Sequence, residues 1–412
     1  MGRNFLFALF CVSLSACASG KLVNGGNERS VASVDPRKFL YEFEIDREAG
    51  ERFRPEDNLA SEQKEYQRLI GLFTAHFQSK YATAEGKAAH KDQGEAGYAL
   101  RGVHAKGHGC LTGTFTVEDH GQQRYRHGVF KTPKTHGVVI RFSNGDGPPE
   151  KDSNNTISIG MAFKLLGVKE EKLLGKLQTE DSVDFLMTNH ANFIVRDIRE
   201  FAEVIEGRER GVLDKIGAIR VAGRGLLQRL KVAKNDPLMT PYWGNLPSKL
   251  GDQVVKYLVR AEKCEGEAES GAVPVTEKMR RDPDFLSKVL AMHIRRHSAC
   301  YGFYLQAKGS DMESPVEDAS VSWPEEGYVT RVGTLSIPAQ EPNEELARMS
   351  AFSASGLEGK QLCQNLSFSP WNTTRDFKPL SSLNRARRVV YELSVAMRRD
   401  FNHAENPAEI KK

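Results

Sequence analysis

Between residues 110 and 195 the chain alternates short apolar runs with small or polar residues. Residues 111–117, 137–143, 157–165 and 183–187 carry β-branched and aromatic side chains, separated by clusters of Gly, Pro, Asn and Asp. That punctuation predicts short strands in series. A second β-rich stretch covers 300–338. Elsewhere the period lengthens. Tyr66, Leu69, Ile70, Phe73 and Phe77 recur at helical spacing behind Asn58 or Ser61, either of which can cap a helix. Residues 197–233 read as helical and basic, 282–297 as a helix carrying Phe285, Val289, Leu290 and Met292, and 383–401 as the last strong helix. Short strands in series with helices around them predict an α+β fold built on an antiparallel β-barrel.

The first residues follow a different pattern. Arg3 precedes an apolar run at 5–12 that is too short to span a bilayer. Leu14-Ser15-Ala16-Cys17 resembles the lipobox of bacterial lipoproteins. The resemblance implies a signal peptide over 1–16 and acylation of Cys17, giving a membrane partner through a lipid anchor. It also implies a periplasmic location, with the outer membrane favoured because Ala18 follows the cysteine. Residues 17–58 are polar, with Gly25-Gly26, and read as a tether; 59–403 form the folded domain and 404–412 a flexible tail.

Composition narrows the partners. Lys and Arg number 58 against 54 Asp and Glu, a net charge of +4 over 412 residues. That balance, with no basic run, argues against nucleic acid. Hydrophobic residues make up 39% and charged residues 27%, an ordinary globular mixture, so membrane contact must come from the N-terminal segment. With Cys11 removed and Cys17 lipidated, Cys110, Cys264, Cys300 and Cys363 remain. Export permits disulfides among them, and three connectivities stay open.

Candidate chemistry lies in two distant segments. On the last helix Arg387, Tyr391, Ser394 and Arg398 fall at steps of four, three and four, on one stripe. Val389, Val390, Leu393 and Met397 form the opposite, apolar stripe. Flanking arginines favour a phenolate at Tyr391, a competent axial ligand for ferric iron. The plainer reading is a basic, solvated face. Upstream, Arg101-Gly102-Val103-His104-Ala105-Lys106-Gly107 sets a histidine among small residues, on backbone that can approach a flat ligand. His104 and His108, and His293 and His297, have metal-pair spacing. The first pair is set among glycines, and the second lacks the Glu of a zinc hydrolase and has arginines beside it. No metal is expected at either.

The string at 101–107 resembles the distal segment of haem catalases. Residues 139–143, 160–164 and 184–197 resemble the strands that follow, and Arg387-x-x-x-Tyr391 with Arg398 resembles the proximal helix. These matches run in catalase order over roughly residues 95–400. The resemblance implies a catalase-like barrel with surrounding helices and a bound haem b. His104 would be the distal base, oriented by Ser143. Tyr391 would ligate the iron, with Arg387 polarising it. Arg101, Arg141 and Arg398 would pair with the propionates, and Val103 and Phe193 would line the cofactor or its channel. The distal asparagine of catalases falls on Thr188, with Asn189 beside it; both are candidates, and a threonine there weakens a hydrogen-peroxide site.

Segments 315–323, 366–372 and 384–387 resemble a divergent branch of small catalase-like haem proteins. The function implied is a haem peroxidase or catalase-like oxidoreductase acting on hydroperoxides, organic or lipid ones above all. The alternatives are a non-catalytic haem-binding lipoprotein and a fatty-acid hydroperoxide lyase or isomerase. A homo-oligomer is compatible with each.

Overall fold

The computed structural model describes residues 35–39, 41, 43–52, 58–74, 100–145, 152, 158–175, 180–209, 236–349 and 359–402. Strands β1 (Gly107–Val117), β2 (Lys134–Asn144), β3 (Ile159–Leu166) and β4 (Ser182–Thr188) pair in order, each antiparallel to the last. Strand β5 (Tyr242–Trp243) bridges β4 to β7 (Gln253–Glu262), and β8 (Ala299–Ala307) and β9 (Val329–Ile337) return to β1. Pairing of β7 with β8 closes these eight strands into a barrel. Two short strands, β6 (Ser248–Leu250) and β10 (Phe377–Pro379), extend the sheet beside β7.

The barrel is filled, as the alternation requires. Phe163 stacks on Phe185 with centroids 5.0 Å apart, and Phe303 meets Phe185 edge-on at 5.1 Å and Phe115 at 5.3 Å. Such pairs add about 0.5–1.5 kcal/mol each beyond burial. Inward-facing aromatics leave the alternate residues of β2–β4 on the outer face, and the functional residues lie there.

Helices surround the barrel. They are α1 (Leu59–Leu72), α2 (Ile198–Glu209), α3 (Phe285–Ile294), α4 (Glu344–Arg348), α5 (Gly359–Asn365) and α6 (Ser382–Asn402). Helix α3 packs into the barrel's interior cluster. Asn58 caps α1: its side chain accepts from Ser61 N and the Ser61 hydroxyl accepts from Asn58 N, a reciprocal box. Helix α3 is shorter than the periodicity implied. Of the basic helical stretch, α2 covers 198–209, and 210–235 lie outside the described residues.

Part of the stretch read as a tether is docked. Phe43 packs against Tyr66 and Trp371 at 5.6 and 5.5 Å, and buried Glu51 pairs with Arg385 of α6. The signal segment, Cys17 and the tail from 404 lie outside the described residues. Among the described residues no helix is long and apolar enough to cross a membrane.

Two disulfides select one of the three connectivities. Cys110 of β1 joins Cys363 of α5, 253 residues away, and Cys264 joins Cys300 of β8. The first staples α5 to the barrel. It therefore fixes Gln364, the next residue, over the outer face.

Candidate active site

One row of residues crosses the outer face. Ser143 of β2 pairs with Gly160 of β3, Gly160 with Thr188 of β4, and Thr188 with Trp243 of β5. Two residues along, Arg141, Ala162 and Leu186 form the next row. His104, just before β1, sits over the first row. Its backbone is left-handed (φ 55°), a region a non-glycine residue adopts at a cost. The ring lies against Gly160, where an added Cβ would come within 2.5 Å of His104 Cε1. Gly160→Ala is therefore expected to displace the imidazole. The check is a crystal structure of the variant beside its activity: a ring unmoved by the added methyl contradicts this packing.

The chemistry of His104 follows from its surroundings. Nδ1 lies 3.0 Å from Ser143 Oγ. Burial, then the charges of Arg141, Arg387 and Arg101, push its pKa down to about 3. The imidazole is thus neutral at neutral pH. In the tautomer whose Nδ1–H donates to Ser143 Oγ, Nε2 is the nitrogen that offers a lone pair.

The second segment faces the same space. On α6, Arg387 Nε donates to the Tyr391 hydroxyl at 3.3 Å, and its guanidinium carbon lies 5.2 Å from that ring's centroid. Arg387 Nη1 also donates to Asn384 Oδ1 at 3.2 Å, and Asn384 is itself anchored on the carbonyls of Pro247 and Leu380. Residues 103–104 and 387–391 are neighbours despite their sequence separation: Val103 and Tyr391 share one apolar cluster, around Val389, Val390 and Leu393, and the Arg387 charge is felt at His104. Val103, His104, Thr188, Arg387 and Tyr391 are each only half-buried, whereas Arg141, Ser143 and Gly160 are buried. The solvated-face reading of α6 fails for Ser394 and Arg398, which are buried, and Arg387 and Tyr391 are half-buried.

A third group supplies positive charge. Arg101 Nη1 donates to Gln364 Oε1 at 2.9 Å, and Arg141 Nη2 lies 3.4 Å from the same oxygen and 3.0 Å from the His104 carbonyl. Arg398 Nη1 donates to the Gln364 carbonyl at 2.6 Å. Arg398 Nε is buried with no hydrogen-bond partner, and burial with Arg399 and Arg141 nearby pushes its pKa down to about 9. No carboxylate ion-pairs with Arg398 among the described residues. Guanidiniums gathered on one neutral amide favour a carboxylate-bearing ligand. Gln364 escaped sequence reasoning because nothing local marks it. Gly107 belongs to the same corner: an added Cβ would lie 3.1 Å from Arg141 Nη2 and 3.2 Å from Gln364 Nε2.

Other predicted residues are used differently. The Asn189 carboxamide accepts from Ile159 N at 3.0 Å, so it knits β3 to β4, and Thr188 is the one in the row. The Thr188 hydroxyl donates to Asn245 Oδ1 at 3.0 Å, a partner the sequence did not mark. Phe193 packs on Phe201 at 5.9 Å, one layer outward, with its backbone held by the Ala319 carbonyl. His108 Nε2 meets Asn144 Oδ1 at 2.9 Å, and His293 Nδ1 meets Asp236 Oδ2 at 2.5 Å. Among the described residues no cluster of three or more His, Cys, Asp or Glu is arranged to hold a metal ion.

These residues fit a haem. A neutral imidazole, an arginine-bonded tyrosine across from it, and a buried guanidinium with an unspent N–H are the donors such a group requires. A water-sized cavity beside Arg387, lined also by Asp184, Tyr257 and Asn384, is too small for it. His104 and Tyr391 are the residues that would flank a porphyrin.

No protein-family model and no curated protein matches the sequence. Solved structures do match the fold. A fungal catalase superposes with a TM-score of 0.57 at 17% identity, over 79% of this chain and 63% of its own. Catalase A from Saccharomyces cerevisiae gives 0.54 at 17% over 78% and 65%, and a bacterial catalase 0.55 at 15% over 79% and 63%. The chain therefore has a catalase-like α+β fold, and it spans less than two thirds of the length of these catalases.

Proposed function

We propose that the protein is a haem-dependent oxidoreductase that consumes hydroperoxides, with organic or lipid hydroperoxides as its substrates. The observation that supports this most is the approach of neutral His104 to the Arg387–Tyr391 pair across one space. Haem b, when bound, supplies the redox chemistry of peroxide cleavage. Tyr391 would hold the iron, and Arg387, donating to its oxygen, would stabilise the phenolate. Arg101, Arg141 and Arg398 would hold the propionates, the buried Nε of Arg398 gaining a partner. His104 Nε2 would take the hydroperoxide proton and return it to the departing oxygen; Ser143 keeps the ring aimed.

Thr188 supports the organic preference, because its hydroxyl is engaged elsewhere. So does the lipid anchor proposed at Cys17, which would hold the enzyme at the periplasmic side of the outer membrane. Reconstitution with haem is expected to give a Soret band typical of ferric tyrosinate ligation, and cumene hydroperoxide is expected to turn over faster than hydrogen peroxide. Absence of any Soret band sinks the reading. A strong band with fast hydrogen-peroxide dismutation would leave a plain catalase instead.

A further inference from the structure

The row beneath His104 has polar side chains, each either engaged or buried away from the space that Nε2 faces. Ser143 Oγ is buried against His104 Nδ1, at the opposite side of the ring from Nε2. Gly160 has no side chain. The Trp243 indole N–H donates to Glu325 Oε1 at 2.7 Å. That leaves Thr188. Its Oγ1 lies 3.0 Å from Asn245 Oδ1 and 3.4 Å from the His190 carbonyl. Both are acceptors, but only the Asn245 contact has the length of an O–H···O bond, so the proton is committed to Asn245 and the longer contact does not hold it alone.

Asn245 is built for this task. It is 7% exposed, in the β5–β6 connection, and its Nδ2 donates to the carbonyls of His190 and Asn192 at 2.5 and 3.3 Å. Two carbonyls around one end of the amide identify that end as nitrogen, which forces the oxygen toward Thr188. In the next row Ala162 and Leu186 are apolar and Arg141 is tied to Gln364 and the His104 carbonyl.

We infer that Asn245 is a positioning residue that withholds the Thr188 proton, so the floor opposite His104 offers a bound hydroperoxide no hydrogen-bond donor. This rests on the functional reading above and extends it to substrate class. A floor without a donor leaves His104 to orient one O–H and makes no demand on the second oxygen. An alkyl hydroperoxide, whose second oxygen carries carbon, satisfies it as well as hydrogen peroxide does.

Fluoride binding to the haem-loaded ferric protein, read optically, tests the inference because a small anion gains from any nearby donor. A hydrogen bond to a charged acceptor is worth tenfold or more in affinity. Thr188→Val is expected to change fluoride affinity less than about threefold. Asn245→Ala, or Asn245→Ser where alanine fails to fold, is expected to free the hydroxyl and raise affinity about tenfold. The gain should vanish when Thr188→Val is added. A tenfold loss in Thr188→Val alone, no gain in the Asn245 variants, or a gain that survives in the double variant overturns it. Urea midpoints of the haem-free singles and double give a separate readout, since the Thr188–Asn245 bond must make them non-additive. If no variant takes up haem while the midpoints are coupled, the functional reading fails; additive midpoints with haem uptake intact overturn this inference alone.

Discussion

Replacing His104 with alanine is expected to lower hydroperoxide turnover by about 10²–10⁴-fold while haem stays bound, the usual contribution of a positioned general base. Nothing else in the row can substitute, since Ser143 and Thr188 lack basicity and the Trp243 N–H is taken. The variant should retain its Soret band, because the tyrosine, not the imidazole, would hold the iron. Unchanged turnover would remove His104 from the chemistry and favour a haem-binding role.

The pH profile adds a second check on the same residue. With its pKa pushed down to about 3, His104 remains a free base far below the point where an ordinary histidine protonates. Turnover should therefore show no acid limb near 6.5, the histidine model value, and should fall only as pH approaches the lowered value. The stability linkage has the same sign. Below the unfolded value the unfolded chain binds a proton that the folded state refuses, so this group's contribution is present above that pH and lost as pH falls toward 3.

Arg385→Ala is expected to cost about 3–5 kcal/mol, the penalty for stranding buried charges. This guanidinium, at the start of α6, is shared among three carboxylates. It pairs with Glu51, with Glu62 at 2.5 and 3.0 Å, and with Glu317 at 3.4 Å, and Tyr66 donates to Glu62. Arg385 and Glu51 are each 2% exposed at the side chain and Glu62 5%, so water cannot screen what alanine leaves behind. Urea denaturation of the haem-free protein measures the loss.

The loss should shrink at acid pH. Burial already holds Glu317 above the usual carboxylate range. A carboxyl of that kind contributes stability on the acid side of its folded pKa and loses it as pH rises through that value. Protonation of Glu317 should thus lessen the loss in the variant. A variant as stable as the parent at neutral pH would mean that the cluster is already relieved by protonation or water. Since α6 also carries Arg387 and Tyr391, the unrescued variant is expected to bind haem more weakly.

Much of this molecule is legible along the chain. Period-two runs at 111–117, 137–143 and 183–187 became β1, β2 and β4, because inward aromatics must alternate with outward residues when one face is filled. The Asn58 cap and the apolar spacing behind it produced α1. Strand β7 was missed for a local reason. Lys256 interrupts its apolar run, yet is buried, its amine 4.6 Å from the Trp323 ring centroid and its pKa pushed down to about 7 by burial. No pattern in the neighbouring sequence announces a buried lysine.

The chain by itself determined the residue types available for chemistry, an imidazole among glycines and an arginine–tyrosine turn, together with the helices and strands that carry them. These depend on interactions within a few residues, which order and spacing encode. Tertiary structure alone decided which cysteines join, that Gln364 and Asn245 stand among the functional side chains, and that Ser394 and Arg398 of the polar stripe of α6 are buried. These contacts join residues 34 to 263 apart. Such pairs are set by how the barrel closes and what packs over it, and the side chains carry no local mark of the partners they will meet.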